Sequence, residues 1–182
     1  MSKIAFFTFG ILNQPPGHPD VQGFVDRAQP IFMAAMNHEG FRGFATGPHN
    51  TEPFDDMSEA DYHEWGMFAV PRFYTGSTVP SEFQAGMTLT TWADLISVFH
   101  FSYTELHAEA LKHRHEWTQN NDYPPYVMWW VDDDHTPTWA EACQKHEHFH
   151  DHGASAEAFN FKTAFDPAGN PIKVNVGMIH PE

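Results

Sequence analysis

Apolar residues recur along this chain with two different periods, and each change of period marks an element. Lys3 to Phe9 is a short run of Ile and Phe that reads as a strand, followed by a loop at Pro15, Pro16 and Gly17. Asp20 stands as N-cap of a helix reaching about His38. Its apolar positions Val21, Phe24, Val25, Ala28, Ile31, Phe32, Ala35 and Met36 return at helical spacing. Pro30 is expected to kink or divide that helix near Gln29. Gly40 closes it, and Phe41 to Ala45 begins a second strand. Met67 to Tyr74 reads as a third, with Pro71 placing it at an edge or a bulge, and Phe83 to Thr91 as a fourth. Thr91 and Asp94 then open one long helix to about Thr118. Leu95, Val98, Phe99, Ser102, Tyr103, Leu106, Ala110, His113 and Trp117 share one of its faces.

Tyr126 to Val131 is β-branched and aromatic and apolar on both faces, which predicts a strand inside a sheet. Asp132, Asp133 and Asp134 end it. Thr138 caps the next helix, Glu141 completes a capping box, and Gly153 sits at the left-handed stop. Ala158 to Phe165 reads as a last strand, with a turn at Asp166 to Asn170 leading into Ile172 to Met178. Gly47 to Glu64 has no period and carries Glu52, Asp55, Asp56, Glu59, Asp61 and Glu64. It reads as a solvated surface loop with one helical turn from Ser58, because it lacks the spacing and glycine of a calcium loop. The order is therefore that of an α+β, ferredoxin-like βαββαβ core with an extra C-terminal helix and strand. One domain over residues 1–182, with a loop insertion around 47–64, is the expectation.

Composition and the N-terminal run sharpen this in four ways. Seventeen Phe, six Trp and five Tyr make either an aromatic core or the lining of a pocket for a flat organic molecule. A net charge of −15 repels phosphate backbones and argues against nucleic-acid binding. The first apolar run breaks at Asn13, too short for a membrane span or a leader, so a cytoplasmic protein is expected. The single cysteine, Cys143, allows no intrachain disulfide and reads as structural.

The most conspicuous motif is His146-Glu147-His148-Phe149-His150, an H-E-x-x-H run on the helix after Thr138. His146 and His150 stand one turn apart and could both reach zinc, with Glu147 as base. The metzincin third ligand would fall at residue 156, which is Ala156. Glu157, Asp166 and His180 remain as candidates without a motif, and coincidence in a chain this rich in His and Glu is the plainer reading.

The stretch YVMWWVDDDHTPTWAEACQKHEHFHDHG with the following AFNF resembles a widespread bacterial domain-of-unknown-function family, as does HAEALKHRHEW upstream. That family is similar to antibiotic-biosynthesis-monooxygenase-like proteins of the dimeric α/β-barrel superfamily. The resemblance implies a homodimer packed sheet to sheet, and a small-molecule cavity between sheet and helices. Relatives in that superfamily are cofactor-free monooxygenases, polyketide cyclases and haem proteins, so the cofactor stays open: none or haem, with zinc the third option.

Where the implied cavity meets the long helix stands His107, which could act as general base or ligate haem iron, or could equally be a core-edge histidine. Thr8, Phe99, Tyr103, Trp117 and Trp129 are the expected pocket residues, with Trp129 and Trp130 on opposite sheet faces, one toward the cavity and one toward the dimer interface. His113 should be buried mid-face and His100 should point outward. Arg114 and Glu116 read as a helix-end ion pair before a substrate clamp, and His135 as a residue that orders its turn. The expected function is an oxygenase-like or cyclase-like enzyme acting on a small apolar or aromatic molecule. The alternatives are a haem or other ligand carrier and, behind both, a zinc hydrolase.

Overall fold

The computed structural model describes residues 1–45, 55–103 and 105–174. The strands β1 (Ser2–Ile11), β2 (Phe41–Phe44), β3 (Ala85–Trp92) and β4 (Tyr126–Asp132) form one antiparallel sheet in the order β2-β3-β1-β4. Helix α1 (Gln22–Asn37) links β1 to β2, and α2 (Leu95–Tyr103) with α3 (Glu105–Trp117) links β3 to β4. Helix α4 (Trp139–His152) and a two-residue hairpin, β5 (Ala164–Phe165) with β6 (Pro171–Ile172), follow. The result is a mixed α+β fold on a four-stranded antiparallel sheet, and among the described residues no closed barrel forms. Among the described residues no helix is long and apolar enough to cross a membrane.

Several elements depart from the periodicity, each for a physical reason. Asp20 does not cap α1. His18 caps a 3-10 turn at Pro19–Val21 instead, its imidazole accepting from the Asp20 amide. Pro30 lies within α1 without dividing it. It is on the exposed side, so the Asp26 carbonyl that loses its partner can turn to water. Met67 to Tyr74 is not a strand: Pro71 and a turn closing at Tyr74 break it, leaving an isolated Asp61–Met67 bridge. The helical turn expected at Ser58 is a 3-10 turn at Met57–Glu59 capped by Asp56, while residues 47–54 lie outside the described residues. The long helix is two helices, α2 and α3. Ala158 to Phe165 contributes isolated bridges and only β5, and residues 175–178 of the expected final strand are likewise not described.

β4 is an outer strand rather than an interior one. It is apolar throughout because both faces are covered and its free edge is bridged by Phe159, whose amide and carbonyl exchange bonds of 2.9 and 2.8 Å with Met128. The sheet's first face holds Ile4, Phe6, Trp92 and Met128 against Leu95, Val98 and Phe159. The second holds Phe7, Phe9, Leu89, Val127 and Trp129 against Trp139, Ala142, Trp65 and Phe68. That second cover comes from α4 and from residues between β2 and β3. Burial of Trp139 alone contributes on the order of 3 kcal/mol to docking α4. Thr138 caps α4 through a 3.2 Å bond from the Glu141 amide, and Gly153 stops it at φ 77°. The capping box is half formed. The Glu141 carboxylate accepts instead from the Trp129 indole and from His135, both at 2.7 Å, which ties turn, strand and helix together.

Candidate functional site

On the first face α1 stands off the sheet. Its stripe of Phe24, Ala28, Ile31 and Phe32 is only half-buried, and Ala35 is its one buried residue. Close approach is kept at the N-terminal end, where Gly86 has no Cβ to meet the Phe24 ring and Gly23 none to meet the Trp117 indole. Between α1, α3 and the ends of β1 and β3 lies a cavity of about 400 Å³. Its lining is mostly apolar: Phe6, Phe24, Ile31, Trp92, Phe101 and Trp117 among others. Its polar wall groups are Thr8, Thr88, Thr90, Arg27, His107, Arg114 and Thr118, the last donating its hydroxyl to Arg114 O at 2.9 Å.

The last turn of α2 positions His107. A helix end leaves carbonyls without partners, and Ser102 O takes the Nδ1–H of His107 at 2.9 Å. A carbonyl only accepts, so the proton sits on Nδ1 and the lone pair on Nε2. The ring lies 4.9 Å from that of Phe101. Burial holds the imidazole pKa below its ordinary value, against the raising effect of the Ser102 bond, so His107 is neutral at pH 7. Thr8 and Thr88 face each other across the β1–β3 pair with their hydroxyls 2.7 Å apart. Thr90 donates to Phe6 O and accepts from the Trp92 indole, which spends its polar capacity. Arg27 is held by both oxygens of Glu109, at 2.9 and 3.2 Å, and lies over the Trp117 ring. A neutral imidazole and a hydroxyl pair in an apolar chamber can accept, orient and return a proton.

Of the residues expected from sequence, Thr8, His107 and Trp117 line this cavity together. Phe99 and Tyr103 do not. Their rings pack on Phe161 of the C-terminal segment instead. Trp129 lies under α4 on the opposite sheet face, and the indole of Trp130 donates to Phe165 O, so neither lines the cavity. His113 is half-exposed and paired with Glu109 and Glu116 rather than buried. His100 does not point away: its Nδ1 lies 3.2 Å from His38 Nε2. Glu116 pairs with His113 and not with Arg114. Sequence reading missed Thr88 and Phe101. The alternation of Thr88, Leu89 and Thr90 is the available signal, since polar side chains on a covered face need something to bind.

The H-E-x-x-H run has other duties. His146 is fully buried among Phe7, Phe9, Phe73 and Tyr123, with ring centres 5.4 to 6.2 Å away. Its Nε2–H donates to Pro124 O at 2.6 Å, and burial lowers its pKa to about 4. Glu147 accepts from the Arg72 amide at 2.8 Å, and His150 sits against Asp151, which pairs with the Arg72 guanidinium. Glu157 and Asp166 do not approach, Asp166 being bonded within its own turn, and His180 is outside the described residues. Among the described residues no three His, Cys, Asp or Glu side chains form a group able to hold a metal. Cys143 is buried and free, its thiol pushed up to about 12 by burial, which removes it as a nucleophile.

The profile of the family described as Domain of unknown function (DUF3291) matches residues 3–174. The chain belongs to that family. No curated protein matches it. Among solved structures it is similar to the NE2512 protein of unknown function from Nitrosomonas europaea, at 11% identity and a TM-score of 0.41, over 75% of this chain and 93% of that one.

Proposed function

We propose that this protein is a small-molecule enzyme, oxygenase-like or cyclase-like, that takes a flat apolar or aromatic substrate into the α1–α3 cavity. His107 serves there as general base. The carrying observation is the cavity itself: about 400 Å³ of mostly apolar wall around a neutral, anchored imidazole. That size suits a one- or two-ring ligand. Nδ1 is fixed by the Ser102 carbonyl, so Nε2 is the atom that would take a proton from a phenol or an activated C–H. The Thr8–Thr88 hydroxyls would orient the oxygen beside it.

Haem ligation by His107 is the second reading, favoured by the same Nδ1–H anchor, which is how an axial imidazole is commonly held. The fit is incomplete, because the two haem propionates call for two cations and, of the two arginines that line the cavity, Arg27 is already neutralised by Glu109. A Soret band after haem titration, lost in His107→Ala, would replace the first reading with the second. Should a homodimer form, it must use a surface other than the sheet's second face, which α4 and residues between β2 and β3 already cover.

Binding tests the proposal directly. Naphthalene-2-methanol, followed by tryptophan fluorescence, is expected to bind the wild type saturably. Ala110→Phe, which fills the cavity from α3, should weaken it by about tenfold or more while the melting temperature holds. Equal binding by both proteins, with both folded, would remove the cavity as the site.

A further inference from the structure

The cavity's polar groups can be sorted into those already satisfied and those still open. Thr90 is spent, Nδ1 of His107 is spent, and Arg27 is spent on Glu109 and on Gly23 O. What remains open is Nε2 of His107, part of the Thr8–Thr88 pair, and Arg114. The chain has few cations, nine Lys and Arg against 24 Asp and Glu, so its arginines find partners easily. Arg27 pairs with Glu109, Arg72 with Asp151, and Arg42 donates to the carbonyls of Glu39 and Phe41. Among the described residues the Arg114 guanidinium alone of the four makes no hydrogen bond or ion pair, and it lines the cavity. Its charge acts on the phenol of Tyr126, which is neutral.

Arg114 is a solvent-exposed guanidinium that borders an apolar chamber, and such a group favours a ligand that brings its own anion, since a planar carboxylate matches the guanidinium fork. We infer that the substrate is an aromatic or similarly apolar carboxylic acid, with its carboxylate on Arg114 and its reacting proton toward Nε2 of His107. This rests on the cavity reading above and adds the charge and orientation of the ligand. Arg114 is then a specificity-determining residue. In a protein of net charge −15 an anionic ligand meets general repulsion, so a local cation is what would make acids preferred.

The test compares 2-naphthoate with its neutral analogue naphthalene-2-methanol by isothermal titration, on the wild type, Arg114→Gln and Arg114→Lys. Arg114 is exposed, so both variants should fold, and a thermal melt checks this. Wild type is expected to prefer the acid by about tenfold or more, Arg114→Gln to lose the preference while keeping the alcohol, and Arg114→Lys to recover part of it. Equal affinity of wild type for acid and alcohol would overturn this inference and leave the cavity reading standing. A preference that survives in Arg114→Gln would overturn the assignment to Arg114. Failure of both compounds to bind wild type would overturn the cavity reading itself.

Discussion

His146→Ala should be the most damaging single substitution outside the strands, costing about 4 kcal/mol of folding free energy. Two losses combine. Removing the imidazole opens a void among Phe7, Phe9, Phe73 and Tyr123, and it leaves the buried Pro124 carbonyl without its 2.6 Å donor. The same residue sets an acid limit. Its folded pKa of about 4 lies below the ordinary 6.5, so below pH 6.5 the unfolded chain takes up a proton that the folded chain refuses. Stability is therefore complete above pH 6.5 and falls by about 3 kcal/mol as the pH approaches 4. His146→Phe should flatten that slope. Urea melts across this range, with and without EDTA, measure all of it. A cost under about 1 kcal/mol for His146→Ala would contradict its place in the core, and a clear drop of the wild type in EDTA would return the H-E-x-x-H run to the status of a metal site.

His107→Gln is expected to abolish proton transfer while leaving binding nearly intact. The assay is hydrogen–deuterium exchange at the acidic methylene of 1-phenylbutane-1,3-dione, a flat aromatic diketone, followed by NMR. Wild type should accelerate exchange over buffer, and His107→Gln should lose about a hundredfold of that rate. Because only the neutral imidazole is a base and burial depresses its pKa, the wild-type rate should fall toward acid with a midpoint below 6.5. Saturable binding without any acceleration would make the protein a carrier. Acceleration that survives in His107→Gln would place the base elsewhere.

The outline of the fold was legible because the sheet and its main helices are strongly patterned. The even and odd positions of β1 divide cleanly, Phe6 and Thr8 to one face and Phe7 and Phe9 to the other. Thr138 and Gly153 mark α4 at both ends. The cover of the second face was harder to read. Met57 to Phe83 has no period, and its Trp65, Phe68 and Tyr74 are buried by irregular backbone that alternation cannot anticipate. The site was half legible. His107 and Trp117 sit at helical spacing, and Thr8 is the polar interruption of an apolar strand. Phe99 and Tyr103 misled because helical spacing puts them in line with His107, whereas their rings pack on Phe161 and Phe101 is the ring beside His107. Trp129 misled through parity, since period two separates the two faces but does not say which one the helices cover.

Methyl NMR of the whole chain, titrated with naphthalene-2-methanol, tests the central claim most directly. The predicted result is saturable shifts at Thr8, Ala28, Ile31 and Leu111, which line the cavity, with Ala5, Leu89, Val127 and Val131 on the opposite face unmoved. Shifts confined to that opposite face, or no saturable shift at all, would contradict it.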